Sequence, residues 1–367
     1  MLYKFDEDKY IQMKKLENLK FLKMTTAVAV LLISIAGCKP KLSTNDFTVD
    51  GGIDSLQITA SGIFQSLPQQ ADNPANPITA EKVALGKMLY YDTRLSMKGN
   101  NSCNSCHNLS TFGVDNKAFS IGDDGLPGGR NSPTVLNAAL HTTQFWDGRA
   151  KDVEEQAGMP IMNPVEMHMP SKALVEDRLK KDETYKKLFA AAFPTDKNAV
   201  SYGNLEKAIG AFERTLITPS KFDEFIAGKA NALSKEEKDG LSLFIKTGCT
   251  TCHAGVALGG QMFQKFGIYG NYWDLTKSAK VDSGKITISK NAADLFVFKV
   301  PSLRNVEKTG PYFHDGSVSD LNKAISIMAK AELNKTLSDA EAKSIATFLK
   351  TLTGKVPEDA MKNPFQK

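Results

Sequence analysis

Cys103-Asn-Ser-Cys-His107 and its repeat Cys249-Thr-Thr-Cys-His253 constrain this chain more than anything else in it. Cys-x-x-Cys-His is the attachment signature of c-type haem. Two thiols at that spacing reach the two vinyl groups of one porphyrin, and the adjacent imidazole falls under the iron as its proximal ligand. A redox Cys-x-x-Cys or half of a zinc site draws on the same residues. Two copies that take up every cysteine beyond Cys38 favour two covalently bound haem c groups. Cys103, Cys106, Cys249 and Cys252 are then the attachment points, and His107 and His253 the iron ligands.

A chain of 367 residues is long enough for two such domains, and 41% hydrophobic residues suffice for real cores. The net charge of +5 is modest and partly carried by the Lys-rich first 41 residues. With no long basic run in the body, there is no reason to expect a nucleic-acid partner.

The odd cysteine, Cys38, has its own setting. Lys14, Lys15, Lys20 and Lys23 precede an apolar stretch, Thr25 to Ile35, too short to span a bilayer. Ile35-Ala-Gly-Cys38 resembles a bacterial lipobox, so residues 1–38 read as a lipoprotein signal peptide whose cleavage leaves lipid on Cys38. A signal peptide cut elsewhere is the alternative. Met13-Lys-Lys would be a more usual start. Export fits haem attachment, which in bacteria takes place outside the cytoplasmic membrane. Lys39 after the cysteine favours an outer-membrane anchor facing the periplasm.

Residues 39–76 are polar and broken by Asn73-Pro-Ala-Asn-Pro77, which predicts a tether with an extended lead-in. Thr79 looks like an N-cap for a helix carrying Val83, Leu85, Met88 and Leu89 into the first motif. Ser234-Lys-Glu-Glu237 is a capping box for a helix entering the second. Further helices are expected over Ser171–Phe193 and Tyr202–Leu216, with a boundary at Thr218-Pro219. Ser338-Asp-Ala-Glu341 caps a last helix with the stripe Ile345, Phe348, Leu349 and Leu352, ended by Gly354. Strand patterns are scarce, apart from a short hairpin expected within Val281–Val300. The fold class is therefore mainly α: two cytochrome c-like domains, 77–217 and 218–356, packed on each other, with a tail over 357–367.

Four further segments carry a more specific resemblance: Arg130-Asn-Ser-Pro-Thr134, Gln144-Phe-Trp-Asp-Gly-Arg149, Asn163-Pro-Val-Glu-Met167 and Gly310-Pro-Tyr-Phe-His-Asp-Gly316. With the haem motifs they make the chain, from about 77 to 355, resemble the bacterial dihaem cytochrome c peroxidases, a group that includes the methylamine-dehydrogenase maturation protein. The resemblance implies that the N-terminal haem reduces hydrogen peroxide. It also implies that the C-terminal haem receives electrons from a small c-type cytochrome or cupredoxin; relatives often dimerise, which leaves a homodimer open.

The resemblance also assigns roles. Glu166 matches the distal acid–base residue, Gln156 a distal hydrogen-bonding group, and Trp146 a residue between the haems that is equally explained as a core anchor. Met328 matches the second ligand of the C-terminal haem, although a lone Met on a helix is ordinarily packing. Thioether ligation raises a haem's potential. The maturation protein has tyrosine there, so Met328 favours peroxidase. Asn131, with the backbone carbonyls of Thr309 and Pro311, matches a calcium site whose oxygen donors suit a hard cation. His314 matches a structural residue near the domain interface.

The pattern breaks once. Many relatives carry a loop histidine sixteen residues after the first motif histidine, capping the iron at rest; here that position is Asp123. The expectation is an open first haem with little need for reductive activation, unless His141 or His168 substitutes. Two rival functions remain: a dihaem electron carrier without peroxide chemistry, and a maturation-type enzyme oxidising a protein or an organic substrate.

Overall fold

The structure is a computed structural model that describes residues 54–366. The signal peptide, Cys38 and the first part of the expected tether lie outside the described residues. Among the described residues, no helix is long and apolar enough to cross a membrane.

Ten helices of six or more residues carry the described chain: α1 Ser55–Ile63, α2 Ala80–Tyr91, α3 Val153–Met162, α4 Lys172–Lys180, α5 Glu183–Ala192, α6 Tyr202–Glu213, α7 Lys221–Ile226, α8 Lys235–Thr247, α9 Leu321–Leu333 and α10 Asp339–Lys350. The caps expected from sequence form: Thr79 accepts from the Lys82 amide, and Ser234 and Ser338 close capping boxes with Glu237 and Glu341. The region expected to be helical over Ser171–Phe193 is two helices, because Asp182 caps a fresh start at α5 through the Thr184 and Tyr185 amides.

The two halves repeat one packing device. α2, which leads into the first motif, crosses α6, and α8, which leads into the second, crosses α10. Each crossing is closed by a glycine. A Cβ on Gly86 would stand 1.9 Å from the Ala208 carbonyl oxygen, and one on Gly240 would stand 2.2 Å from that of Ser344. Only a residue without a side chain lets the backbones approach so closely. Around the first crossing, Leu85, Leu89 and Tyr90 join Ile209 and Phe212 in one core. Around the second, Leu241 and Phe244 join Ile345, Phe348 and Leu349.

Three expectations need correction. The lead-in is not extended throughout. Asp54 caps α1, Gln57 Nε2 donates to the Phe225 carbonyl, and Phe64 is 2% exposed, edge-on to Phe222 at 5.4 Å. The segment thus belongs to the second core, and by residue 71 the chain has crossed to the first half, where the Ala71 amide donates to Arg214 O. A nine-residue helix with Ile58 exposed shows too little periodicity to be seen alone. Secondly, no local hairpin lies within Val281–Val300. Strand β2, Val297–Lys299, pairs antiparallel with the distant β1, Phe263–Lys265, in the register Phe263 opposite Lys299. Thirdly, Gly354 does not end α10, which stops at Lys350. Gly354 instead packs against Thr218 and donates its amide to Asn305 Oδ1 at 2.9 Å.

The C-terminal tail mirrors the lead-in. Val356 and Ala360 enter the first core, Tyr91 donates its hydroxyl to Ala360 O at 2.8 Å, and Lys87 pairs with Asp359 at 3.0 Å.

Candidate haem sites

The first motif sits on a single helical turn, Cys103–Cys106, capped by Ser102 and Ser105. His107 ends that turn, its amide donating to Cys103 O at 2.9 Å and its carbonyl accepting from Tyr90 Oη at 2.5 Å. The turn opens onto a cavity of about 350 Å³ lined by Cys103, Cys106, His107, Gln156, Glu166 and Trp146, with Arg149 beside them. Burial lowers the pKa of His107, which keeps the imidazole neutral with a lone pair to give. Burial likewise raises both thiols.

The second motif opens onto a cavity of about 250 Å³ that brings together Cys249, Cys252, His253 and Met328. His253 Nδ1 donates to Leu258 O at 3.0 Å, which fixes the tautomer and leaves Nε2 free for a metal. Met328 comes from α9 and lines the same cavity. Asn131, Thr309, Pro311 and His314 line the same cavity.

Both cavities fit a covalently attached haem. Each holds two free thiols and, on the same turn of the chain, one imidazole that burial keeps neutral. The second cavity also presents the thioether of Met328, where the first presents a carboxyl.

That carboxyl is Glu166. Its Oε1 accepts from Asn163 Nδ2 at 2.7 Å, its own amide donates to Asn163 O at 3.0 Å, and its carbonyl accepts from the Asp123 amide at 2.7 Å. Burial raises its pKa, against the opposing pull of Arg149 and Asn163. Trp146 stands on the wall shared by the two cavities. Its Nε1 donates to Asn131 O at 2.9 Å, and its carbonyl accepts from the Lys299 amide at 2.7 Å.

Asp123 does not line the first cavity. Its carboxylate accepts from the amides of Lys98 at 2.6 Å and Asn100 at 3.2 Å, so it staples its own loop to the 96–101 turn. Neither remaining histidine takes the missing place. His168 lies at the surface against Asp124, and His141 lines the second cavity.

Three charged groups, two buried and one half-buried, escaped the sequence reading. Glu213 lines the first cavity at 3% exposure, and burial pushes it up to about 8. Its signal was present, since it falls on the α6 stripe of Leu205, Ile209 and Phe212. Glu332 lines the second cavity one turn beyond Met328, accepts from the Gly267 amide at 2.7 Å, and is raised to about 6 by burial. Lys299, 7% exposed on β2, faces the second cavity beside His141.

The chain is similar to known proteins. A family model described as di-haem cytochrome c peroxidase matches residues 80–231. The cytochrome c551 peroxidase of Pseudomonas aeruginosa is 43% identical, covering 83% of this chain and 88% of its own. That of Nitrosomonas europaea is 42% identical over 83% and 92%. The chain belongs to the di-haem cytochrome c peroxidase family. A second branch of relatives is more distant: the methylamine utilization protein MauG of Methylorubrum extorquens is 36% identical over 78% of this chain and 82% of its own. Among solved structures, a MauG-like protein associated with microbial copper homeostasis superposes with a TM-score of 0.72 at 30% identity, over 82% of this chain and 97% of that one. Membership implies two haem c groups, in keeping with the two cavities.

Proposed function

We propose that this protein is a dihaem cytochrome c peroxidase that carries out H2O2 + 2H⁺ + 2e⁻ → 2H2O with electrons from a small periplasmic c-type cytochrome or cupredoxin. The observation that carries the reading is Glu166 facing the cavity of Cys103, Cys106 and His107. Haem c supplies the iron chemistry in both cavities: peroxide reduction in the first, electron relay in the second.

The chain's own residues do the rest. Glu166, raised by burial and held by Asn163, takes a proton from the near oxygen of peroxide and returns it to the departing one. Gln156 offers an amide to the same space. Trp146, on the shared wall, lies on the route between the sites. His253 and Met328 would hold the iron of the second haem, and a thioether there would favour a potential high enough to hold an electron in reserve. Asn131, Thr309 and Pro311 would hold Ca²⁺ through oxygen atoms and stiffen the wall that carries Trp146. The division into haem domains over 77–217 and 218–356 is supported by the two separate cores. Export to the periplasmic side, lipid on Cys38 and a homodimer belong to the same proposal.

The deciding experiment is peroxide consumption by the haem-loaded protein, started fully oxidised, with a reduced c-type cytochrome as donor. Turnover supports the reading. No turnover, even after pre-reduction, would sink it. The maturation-type alternative draws on the MauG relatives and on Asp123 being occupied with backbone amides. For the same reason, the oxidised protein is expected to show a high-spin EPR signal from an open first site. Two purely low-spin haems would contradict that part.

A further inference from the structure

Lys299 and His141 pose a problem that protein atoms alone do not solve. Lys299 is 7% exposed in an otherwise largely apolar cavity. Its Nζ donates to Thr143 O at 2.9 Å and meets His141 Nδ1 at 3.2 Å. Among the described residues it has no carboxylate partner. The nearby Asp147 is spent on Arg130 at 2.7 Å and Arg149 at 3.0 Å. A buried ammonium without a countercharge is costly, and burial accordingly lowers Lys299 to about 8.

The hydrogen-bond roles sharpen the point. An ammonium only donates, so His141 Nδ1 must accept. That puts the ring proton on Nε2, which is buried and without an acceptor. The pair therefore presents a cation and an unused N–H, both calling for an anion with acceptor oxygens. His141 and Lys299 line the cavity of Cys249, Cys252 and His253.

We propose that Lys299 and His141 form a carboxylate-binding subsite that takes a propionate of the haem c held by Cys249, Cys252 and His253. The inference rests on the reading above that this cavity holds haem c. A propionate there satisfies His141 Nε2 and neutralises Lys299. Because the Lys299 amide is bonded to Trp146 O at 2.7 Å, the subsite also ties that edge of the haem to the wall between the sites. A positive charge held at the haem edge favours the reduced state and so raises the second haem's potential.

The test uses the haem-loaded protein, with redox titration of each haem and resonance Raman of the propionate bending bands. Lys299→Gln should shift the one-electron equilibrium of the Met328-ligated haem about tenfold towards oxidised, ~59 mV, and leave the first haem unmoved. Lys299→Arg should restore most of it. An unchanged potential in fully loaded Lys299→Gln overturns the proposal. If Lys299→Gln does not accumulate, His141→Phe removes the N–H while keeping the cation. A shifted propionate band then supports the subsite, and an unshifted band overturns it. Haem missing from Cys249 and Cys252 in the unaltered protein, seen by peptide mass, would instead overturn the parent reading.

Discussion

Glu166, half-buried, and Glu213, buried, face one cavity, and their surroundings set them apart. Glu166 has an amide donor from Asn163 and the Arg149 charge near it, so it can exist in either protonation state. Glu166→Gln keeps the shape and removes the proton exchange, and kcat for peroxide should fall by ~10²–10⁴. The KM for the donor cytochrome should hardly move. A kcat within a few-fold of the parent would remove Glu166 from the mechanism. Glu213 has no such support: the adjacent Arg214 is paired with Glu154 at 2.7 Å. Its folded pKa, about 8, lies above the ordinary 4.5, so the folded state binds this proton more tightly than the unfolded chain. Its contribution to stability is complete below about 4.5 and is lost as pH rises through about 8. Glu213→Gln should therefore gain on the parent protein in thermal melts between pH 5 and pH 9. A gap in Tm that does not widen with pH would refute the account.

At the scale of elements, the Gly86 and Gly240 crossings make a symmetrical prediction. Alanine at either position must push a helix off the carbonyl of its partner, and overpacking of this kind typically costs ~1–3 kcal/mol. Gly86→Ala and Gly240→Ala should each lower the denaturation midpoint with little change in the slope against urea. Substitution at exposed Gly62, with no atom within 4 Å of the added Cβ, should not. Elements also show where sequence reading succeeds. Capped helices with a clear stripe, α2, α8 and α10, were legible because capping and periodicity are local. Gln156, Glu166 and Trp146 around the first motif and Met328 by the second were legible as cavity-lining because their segments are distinctive. What was not legible was set by distant partners. β1 and β2 are three residues each and have meaning only as a pair. α1 is helical because Phe222 and Phe225 cover it, and Lys299 reads as a surface lysine until Thr143 and His141 are placed beside it.

For the whole molecule, the crossed ends matter most. The lead-in before the first half is packed into the second core through Ala60 and Phe64, and the tail after the second half is packed into the first through Val356 and Ala360. Between them, Trp146 is bonded to both halves, by Asn131 O on one side and the Lys299 amide on the other. Neither core can open without releasing a segment that belongs, by sequence, to the other half. The two haem sites should then unfold together rather than in turn. Phe64→Ala provides the test, because the side chain is far in sequence from both motifs yet fully buried on Phe222. Loss of a buried phenylalanine costs ~3–5 kcal/mol. Urea melts followed at the first haem and at the second should shift by the same amount and stay superimposed. If only the second haem's transition moved, the halves would be independent folding units joined by contacts that carry no coupling.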